Sequence, residues 1–465
     1  MGLGEREEEK QDEFWIATQD VVRPDGHPFY RRLNEVLAER GFDAFVERRC
    51  RKFYKAGGRR SIPPGVYFRM LMVGYFEGLD SERGIAWRCS DSLALRRFLG
   101  YRLTEATPDH SSLSVIRNRI DLRTHKQVFR WVVIALAKAG LVKGKTVGVD
   151  ATTLVANAAM KSIVRRDTGQ KYEEFLKELA RNAGIEDPTR QDLAKLDKKR
   201  KKKGSNDDWF NPHDPEAKIT KLKDGRTHLS HKLEHGVDLD TGAVLGVTVQ
   251  GADLGDTRSL PQTLDEAQAN LRAAARDAEV RGVLPVKKRP REWIEEAVAD
   301  KGYHGNESLV KTQARTIRTY FSEPDRGRRK WEGDEEARRA VYANRRRIRG
   351  KRGKALLRKR GELLERPFAH ALETGGMRRV YLRGREKILK RLLIHMAGLN
   401  LGLLMRKVFG VGTPRSLQGR AAGLISRVSA LWRVWAAQAA AAALRGVIEQ
   451  RMVRPFALQL EAFAA

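Results

Sequence analysis

The chain has only two cysteines in 465 residues, Cys50 and Cys89. That excludes a disulfide scaffold and any paired-cysteine zinc site, and it fits a reducing compartment. Long apolar runs are also missing. The best, Leu392 to Met405, spans 14 residues and contains His395 and Asn400, short of the roughly 20 residues a membrane-crossing helix needs. The acidic, polar stretch from Gly4 to Glu13 has no apolar signal-peptide region. A membrane protein and a small secreted domain are therefore not expected. Acid is the third scarcity: 59 Asp and Glu face 91 Lys and Arg, a net charge of +32. Hydrophobic residues still make up 41%, so the chain can bury a core and is no disordered polyelectrolyte. A basic globular protein of this kind needs a polyanionic partner, and nucleic acid is the expectation.

The pattern divides the chain. Residues 1–25 read as a flexible N-terminus. Residues 26–142 read as a compact helical DNA-binding domain of short helices. One of these starts at Pro108-Asp109, with Leu113, Ile116 and Ile120 inward and Arg117 and Arg119 outward. The character changes at Lys145. Thr146 to Asp150 is a β-type run, and residues 152–225 are an insertion of helix and loop that holds the basic run Lys198 to Lys203. Leu229 to Val237 and Ala243 to Val249 are strands joined by a turn ending Asp240-Thr241-Gly242. Ser259 to Ala278 is a helix, and Glu296 to Asp300 and Thr316 to Ser322 are further β-type runs. A long helical region then reaches about Leu372. This order predicts an α/β domain with a mixed sheet over 143–410, followed by a helical region at 411–465.

Against the basic background, three carboxylates lie at the ends or edges of elements. Asp150 ends the first strand, Asp300 ends Glu-Ala-Val-Ala-Asp, and Glu365 sits on a helix one step off the apolar face of Leu364, Phe368, Ala371 and Leu372. Taken singly, a strand-end aspartate is more often a turn former, and Glu365 would by default pair with Arg366 or Arg360. Brought together, the three would repel one another unless cations lay between them. Their all-oxygen donor set favours Mg²⁺ or Mn²⁺. Two such ions suit in-line phosphoryl transfer. From Arg326 to Gly361 there are 16 basic and 4 acidic residues. Arg345, Arg346, Arg347 and Arg349 cannot share one helix face, so some are expected to meet phosphate. His228, His231 and His235 have metal-like spacing, but in a strand His228 and His231 point to opposite faces, which argues against a zinc site.

These segments resemble the DDE transposases of bacterial insertion sequences. Gly148-Val149-Asp150-Ala151-Thr152 is similar to that family's first-aspartate segment. Val298-Ala299-Asp300-Lys301-Gly302-Tyr303 is similar to its second, and Arg360 to Phe368 to the helix that carries its glutamate. Phe68 to Gly78, Ser81 to Gly84 and Pro108 to His110 resemble the N-terminal part of the same group. Glu362 is the nearest rival to Glu365, which is preferred because it precedes Arg-Pro-Phe. The resemblance implies an RNase H-like mixed sheet flanked by helices, preceded by the helical domain. It implies Asp150, Asp300 and Glu365 as catalytic residues holding two Mg²⁺ (or Mn²⁺) ions. It further implies strand cleavage at element ends and 3′-hydroxyl strand transfer into target DNA. Double-stranded DNA, as terminal repeats and target, is the implied partner, bound by a homodimer at the bacterial nucleoid in the cytoplasm. Arg117, Arg119, Arg345, Arg346, Arg349, Arg358 and Arg360 are the candidate DNA contacts. The alternatives are an RNase H-like nuclease without joining activity and a catalytically inactive DNA-binding relative.

Overall fold

A computed structural model describes residues 27–55, 57, 61–200, 204–222, 225–277, 293–327 and 331–414. The expectations for residues 1–25, for Lys201 to Lys203 and for nearly all of 411–465 fall outside the described residues. Seven helices come first: α1 (Pro28–Glu39), α2 (Phe42–Cys50), α3 (Pro64–Glu77), α4 (Glu82–Asp91), α5 (Leu93–Leu99), α6 (His110–Arg119) and α7 (Leu122–Lys138). Their starts follow local chemistry. The Ser81, Ser92, Asp109 and Asp121 side chains each accept a hydrogen bond from a backbone N–H in the first turn of the helix they precede. The cap of α5 is thus Ser92. Helix α3 is buried along nearly its whole length and forms the centre of this bundle.

The second half contains β1 (Thr146–Val155), β2 (Val164–Arg165), α8 (Tyr172–Asn182), α9 (Arg190–Lys199), β3 (Trp209–Phe210), β4 (Lys218–Lys221), β5 (Thr227–Asp238), β6 (Val244–Gly251) and α10 (Asp256–Arg276). There follow β7 (Glu296–Ala299), α11 (Asn306–Ala314), β8 (Arg318–Phe321), α12 (Glu335–Arg349), α13 (Lys351–Phe368) and α14 (Arg385–Phe409). The main sheet runs β4-β5-β1-β7-β8, with β6 also paired to β5. β5 lies antiparallel to β1, β4 and β6, while β1, β7 and β8 are parallel. This is the mixed α/β sheet flanked by helices that the sequence order and the resemblance imply. The β5–β6 turn closes at Gly242, whose φ of 81° is readily adopted only by glycine.

Two outer strands, β6 and β8, are each met by a helix asparagine. Asn400 of α14 donates to Val244 O and accepts from Val244 N, and Asn344 of α12 does the same at Phe321 of β8. Each side-chain amide pairs with one residue's backbone as a neighbouring strand would at that point. Helix α14 is long and apolar enough to cross a membrane by length and composition, but 94% of its apolar window is buried inside the protein. It packs against α3, α7 and β6 and so joins the helical bundle to the sheet. The insertion has small cores of its own: Ile163 and Trp209 in one, Leu176, Ala180 and Leu193 in another. It is fastened to the body by His231 with Asp214 (3.0 Å) and Arg385 with Glu216 (2.8 Å).

Candidate active site

The sheet register makes the site. In the parallel pair β1–β7, Thr146 lies beside Glu296 and Gly148 beside Val298. The pairing ends there, two residues before Asp150 on β1 and Asp300 just past the end of β7, and the two are near enough for the charge of Asp300 to act on the Asp150 carboxyl. Functional groups collect at the carboxyl ends of parallel strands in open α/β sheets because side chains there leave the core. Strand β7 is held low down by Glu296, which is buried and accepts from Thr146 Oγ1 (2.7 Å) and Arg352 Nη2 (2.5 Å). The Asp300 carboxylate accepts from Gly302 N at 2.9 Å and so caps the single helical turn Lys301–Tyr303. A Cβ on Gly302 would collide with the Asp256 carboxylate and crowd Asp300 at 3.1 Å. The glycine of the Asp-x-Gly-Tyr segment thus leaves room for two acids side by side.

The Asp150 carboxyl is pushed up to about 6. Burial is the main cause, and the negative charges of Asp300 and Asp256 add to it. The Ala151 N–H and the Arg360 guanidinium work in the opposite direction. Its contacts are few: Ala151 N at 2.9 Å and Arg360 Nη1 at 3.7 Å. Strand β1 runs on to Val155, so Asp150 lies within the strand and not at its end as the sequence pattern suggested; a carboxylate there with so few donors, beside two other acids, has capacity left for a cation.

Helix α13 crosses the sheet beside Asp150, and two features let it approach. A Cβ on Gly148 would lie 2.5 Å from Leu364 Cδ1 and 2.8 Å from Leu239 Cδ2, so only glycine fits at that point. Phe368 stacks on His235, the residue paired with Asp150 across β1–β5, with ring centroids 3.7 Å apart. The buried stripe Leu364, Phe368, Ala371 and Leu372 is the one the sequence indicated. Glu365 is exposed on the flank of α13, and no hydrogen bond or ion pair joins it to Asp150 or Asp300. Arg366 pairs instead with the rival Glu362, at 2.7 Å. The structure therefore brings Asp150 and Asp300 together and leaves Glu365 outside. The residue of α13 that reaches Asp150 is Arg360, in place of the phosphate contact expected of it. Among the described residues, no three His, Cys, Asp or Glu side chains converge to hold a metal ion. Two carboxylates still fit Mg²⁺, which keeps several waters and is commonly held by one or two carboxylates plus substrate phosphate.

Sequence reasoning missed what lies beneath the second aspartate. Asp256, at the start of α10, binds Lys232 Nζ at 2.5 Å. Glu234 is buried in the middle of β5 and accepts from Ser259, Thr263 and Tyr303. The one signal in the sequence is the segment Asp300-Lys301-Gly302-Tyr303, which by itself gives its tyrosine no role.

The candidate DNA contacts separate into two groups. Arg119, Arg346, Arg349 and Arg358 are exposed. Arg117 is buried, contrary to its expected outward orientation, because Glu82 of α4 and Ser114 take its guanidinium. Arg345 is tied to Glu323 by two hydrogen bonds of 2.8 and 2.7 Å. Within the basic run, Arg200 pairs with Asp197 at 2.9 Å.

Two protein-family descriptions match the chain. Residues 17–119 match a transposase domain (DUF772), and residues 208–401 match a transposase DDE domain. The second match takes in Asp256, Asp300 and Glu365 and begins after Asp150, which reaches the site through the sheet register. No curated protein and no solved structure matches the chain. DDE transposases act on DNA and in general use divalent metal ions. With both domains matched and the mixed sheet carrying two aspartates at its centre, the chain is a DDE transposase of the insertion-sequence type.

Proposed function

We propose that this transposase cleaves DNA at element ends and joins the freed 3′-hydroxyl to target DNA, with Asp150 and Asp300 as the paired carboxylates of its metal site. The observation that supports this reading is the β1–β7 register, which pairs Gly148 with Val298, two residues before each acid, together with the charge of Asp300 acting on the Asp150 carboxyl. Divalent ions, Mg²⁺ or Mn²⁺, would supply activation of the attacking oxygen and charge stabilisation of the leaving one. The chain's own residues do the rest. Asp150 and Asp300 anchor the cations, and their mutual repulsion is relieved when cations are bound. Glu365 joins them by a small rotation or bend of α13 as DNA binds. The wide π turn Ala369–Thr374, with Pro367 just before it, provides a natural hinge. Arg360, released from Asp150 by the incoming ions, turns to phosphate. Arg119, Arg346, Arg349 and Arg358 hold the DNA backbone, and two copies of the chain pair the two ends at the nucleoid.

Purified protein is expected to cut labelled element-end DNA only with Mg²⁺ or Mn²⁺, and pre-cleaved ends to be joined to target DNA. Cleavage that survives Asp150→Asn would refute the assignment. Cleavage without joining would leave a nuclease of the same fold.

A further inference from the structure

We infer that Glu234 is a positioning residue for Asp300, acting through the Tyr303 hydroxyl. This rests on the reading of Asp300 as a metal-holding residue. Glu234 is fully buried at the centre of β5. An ionised carboxylate is costly in such a place unless it is well hydrogen-bonded. Here it is: Oε1 accepts from Ser259 Oγ at 2.6 Å and Tyr303 Oη at 2.8 Å, Oε2 accepts from Thr263 Oγ1, and Lys232 Nζ stands 3.7 Å away. Lys232 Nζ in turn donates to Ser259 Oγ (2.8 Å), Leu254 O (3.1 Å) and Asp256 Oδ1 (2.5 Å).

The origins of these donors carry the argument. Ser259 and Thr263 belong to α10 and Lys232 to β5 itself, so they fasten that helix to that strand. Tyr303 alone comes from the turn that Asp300 caps. If the network served only to hold α10 on the sheet, this third donor to the carboxylate would be unnecessary. With it, the turn is fixed at both ends. Asp300 grips Gly302 N at the top, and Tyr303, buried three residues later, is pinned by Glu234 at the bottom. Asp256, fixed by Lys232, closes the side where Gly302 leaves no spare volume. A tilt of this one turn would move the Asp300 carboxylate relative to Asp150, and carboxylate spacing is what a two-acid metal site depends on. A satisfied buried network of this kind gives rigidity, and partners behind metal ligands typically matter about 10–100-fold in metal affinity.

The test is a titration of the full chain with Mn²⁺, following free Mn²⁺ by electron paramagnetic resonance, beside thermal melts in EDTA. Tyr303→Phe is expected to weaken Mn²⁺ binding by about tenfold. Thr263→Val, which removes a donor to the same carboxylate from α10, should lower the melting temperature with Mn²⁺ affinity kept within about twofold. Wild-type affinity in Tyr303→Phe, or equal weakening in both variants, would overturn the positioning role. The underlying reading has its own arm: Asp300→Asn should abolish the binding, and Asp300→Asn that binds Mn²⁺ as wild type does would remove Asp300 from the metal site altogether.

Discussion

Replacing Asp150 by Asn should stabilise the metal-free, DNA-free protein at neutral pH while abolishing its chemistry. The Asp150 carboxyl sits at about 6 in the folded chain, roughly 2 units above an unfolded aspartate. The folded state therefore holds this proton more tightly than the unfolded state does. The stability tied to the protonated form is complete below about pH 4 and is lost as pH rises through about 6. Above that pH the ionised carboxylate destabilises the fold by about 3 kcal/mol, at roughly 1.4 kcal/mol per unit. Asparagine carries no such charge. Melting midpoints in EDTA should thus show Asp150→Asn several degrees above wild type at pH 7.5, with the gap closing towards pH 4.5. Mn²⁺ should reverse the order by stabilising only the wild type, since bound cations relieve the same repulsion. A variant that is less stable than wild type at pH 7.5, with a gap independent of pH, would show that Asp150 is a satisfied structural partner of Arg360, and the reasoning would be wrong.

Two further outcomes follow from the geometry. Gly148→Val places branched carbon where Leu364 and Leu239 already meet the strand; it should cost about 1–3 kcal/mol by overpacking and, by pushing α13 off β1, lower DNA cleavage more than DNA binding, read by melts and a cleavage assay side by side. Replacing Arg346, Arg349 and Arg358 together by Ala should leave the fold intact and flatten the salt dependence of DNA binding, by up to roughly 3 in the log–log slope at about 0.9 per lost phosphate contact, in fluorescence anisotropy titrations; an unchanged slope would take the DNA path off this face.

Some of this site was legible in the sequence, and the reasons are local. Asp150 and Asp300 stood out because each ends a short β-type run, and the Asp-x-Gly-Tyr segment marked the second. Their adjacency was not legible, because it depends on a parallel pairing between residues 150 positions apart. Glu365 was visible as a residue just off the Leu364–Phe368 stripe. That same offset leaves it exposed, since a residue beside a buried stripe faces solvent unless the helix rolls. Arg117 shows the limit of periodicity: helical spacing placed it outward, but spacing carries no knowledge of Glu82 on a neighbouring helix. Glu234 and Asp256 were hidden for the opposite reason. A carboxylate within a strand or at a helix start reads as a solvent-facing or capping residue, and only tertiary packing reveals Ser259, Thr263 and Tyr303 arranged around Glu234.

The central claim is that Asp150 and Asp300 jointly hold the metal ions that act on DNA, and exchanging the ligand atoms tests it most directly. Asp150→Cys and Asp300→Cys put sulfur where oxygen now stands, and softer ligands shift preference from Mg²⁺ towards Mn²⁺. Each variant is expected to lose element-end cleavage in Mg²⁺ and to regain a measurable part of it in Mn²⁺, with DNA binding unchanged. Cleavage in Mg²⁺ at the wild-type rate by either variant would contradict the account.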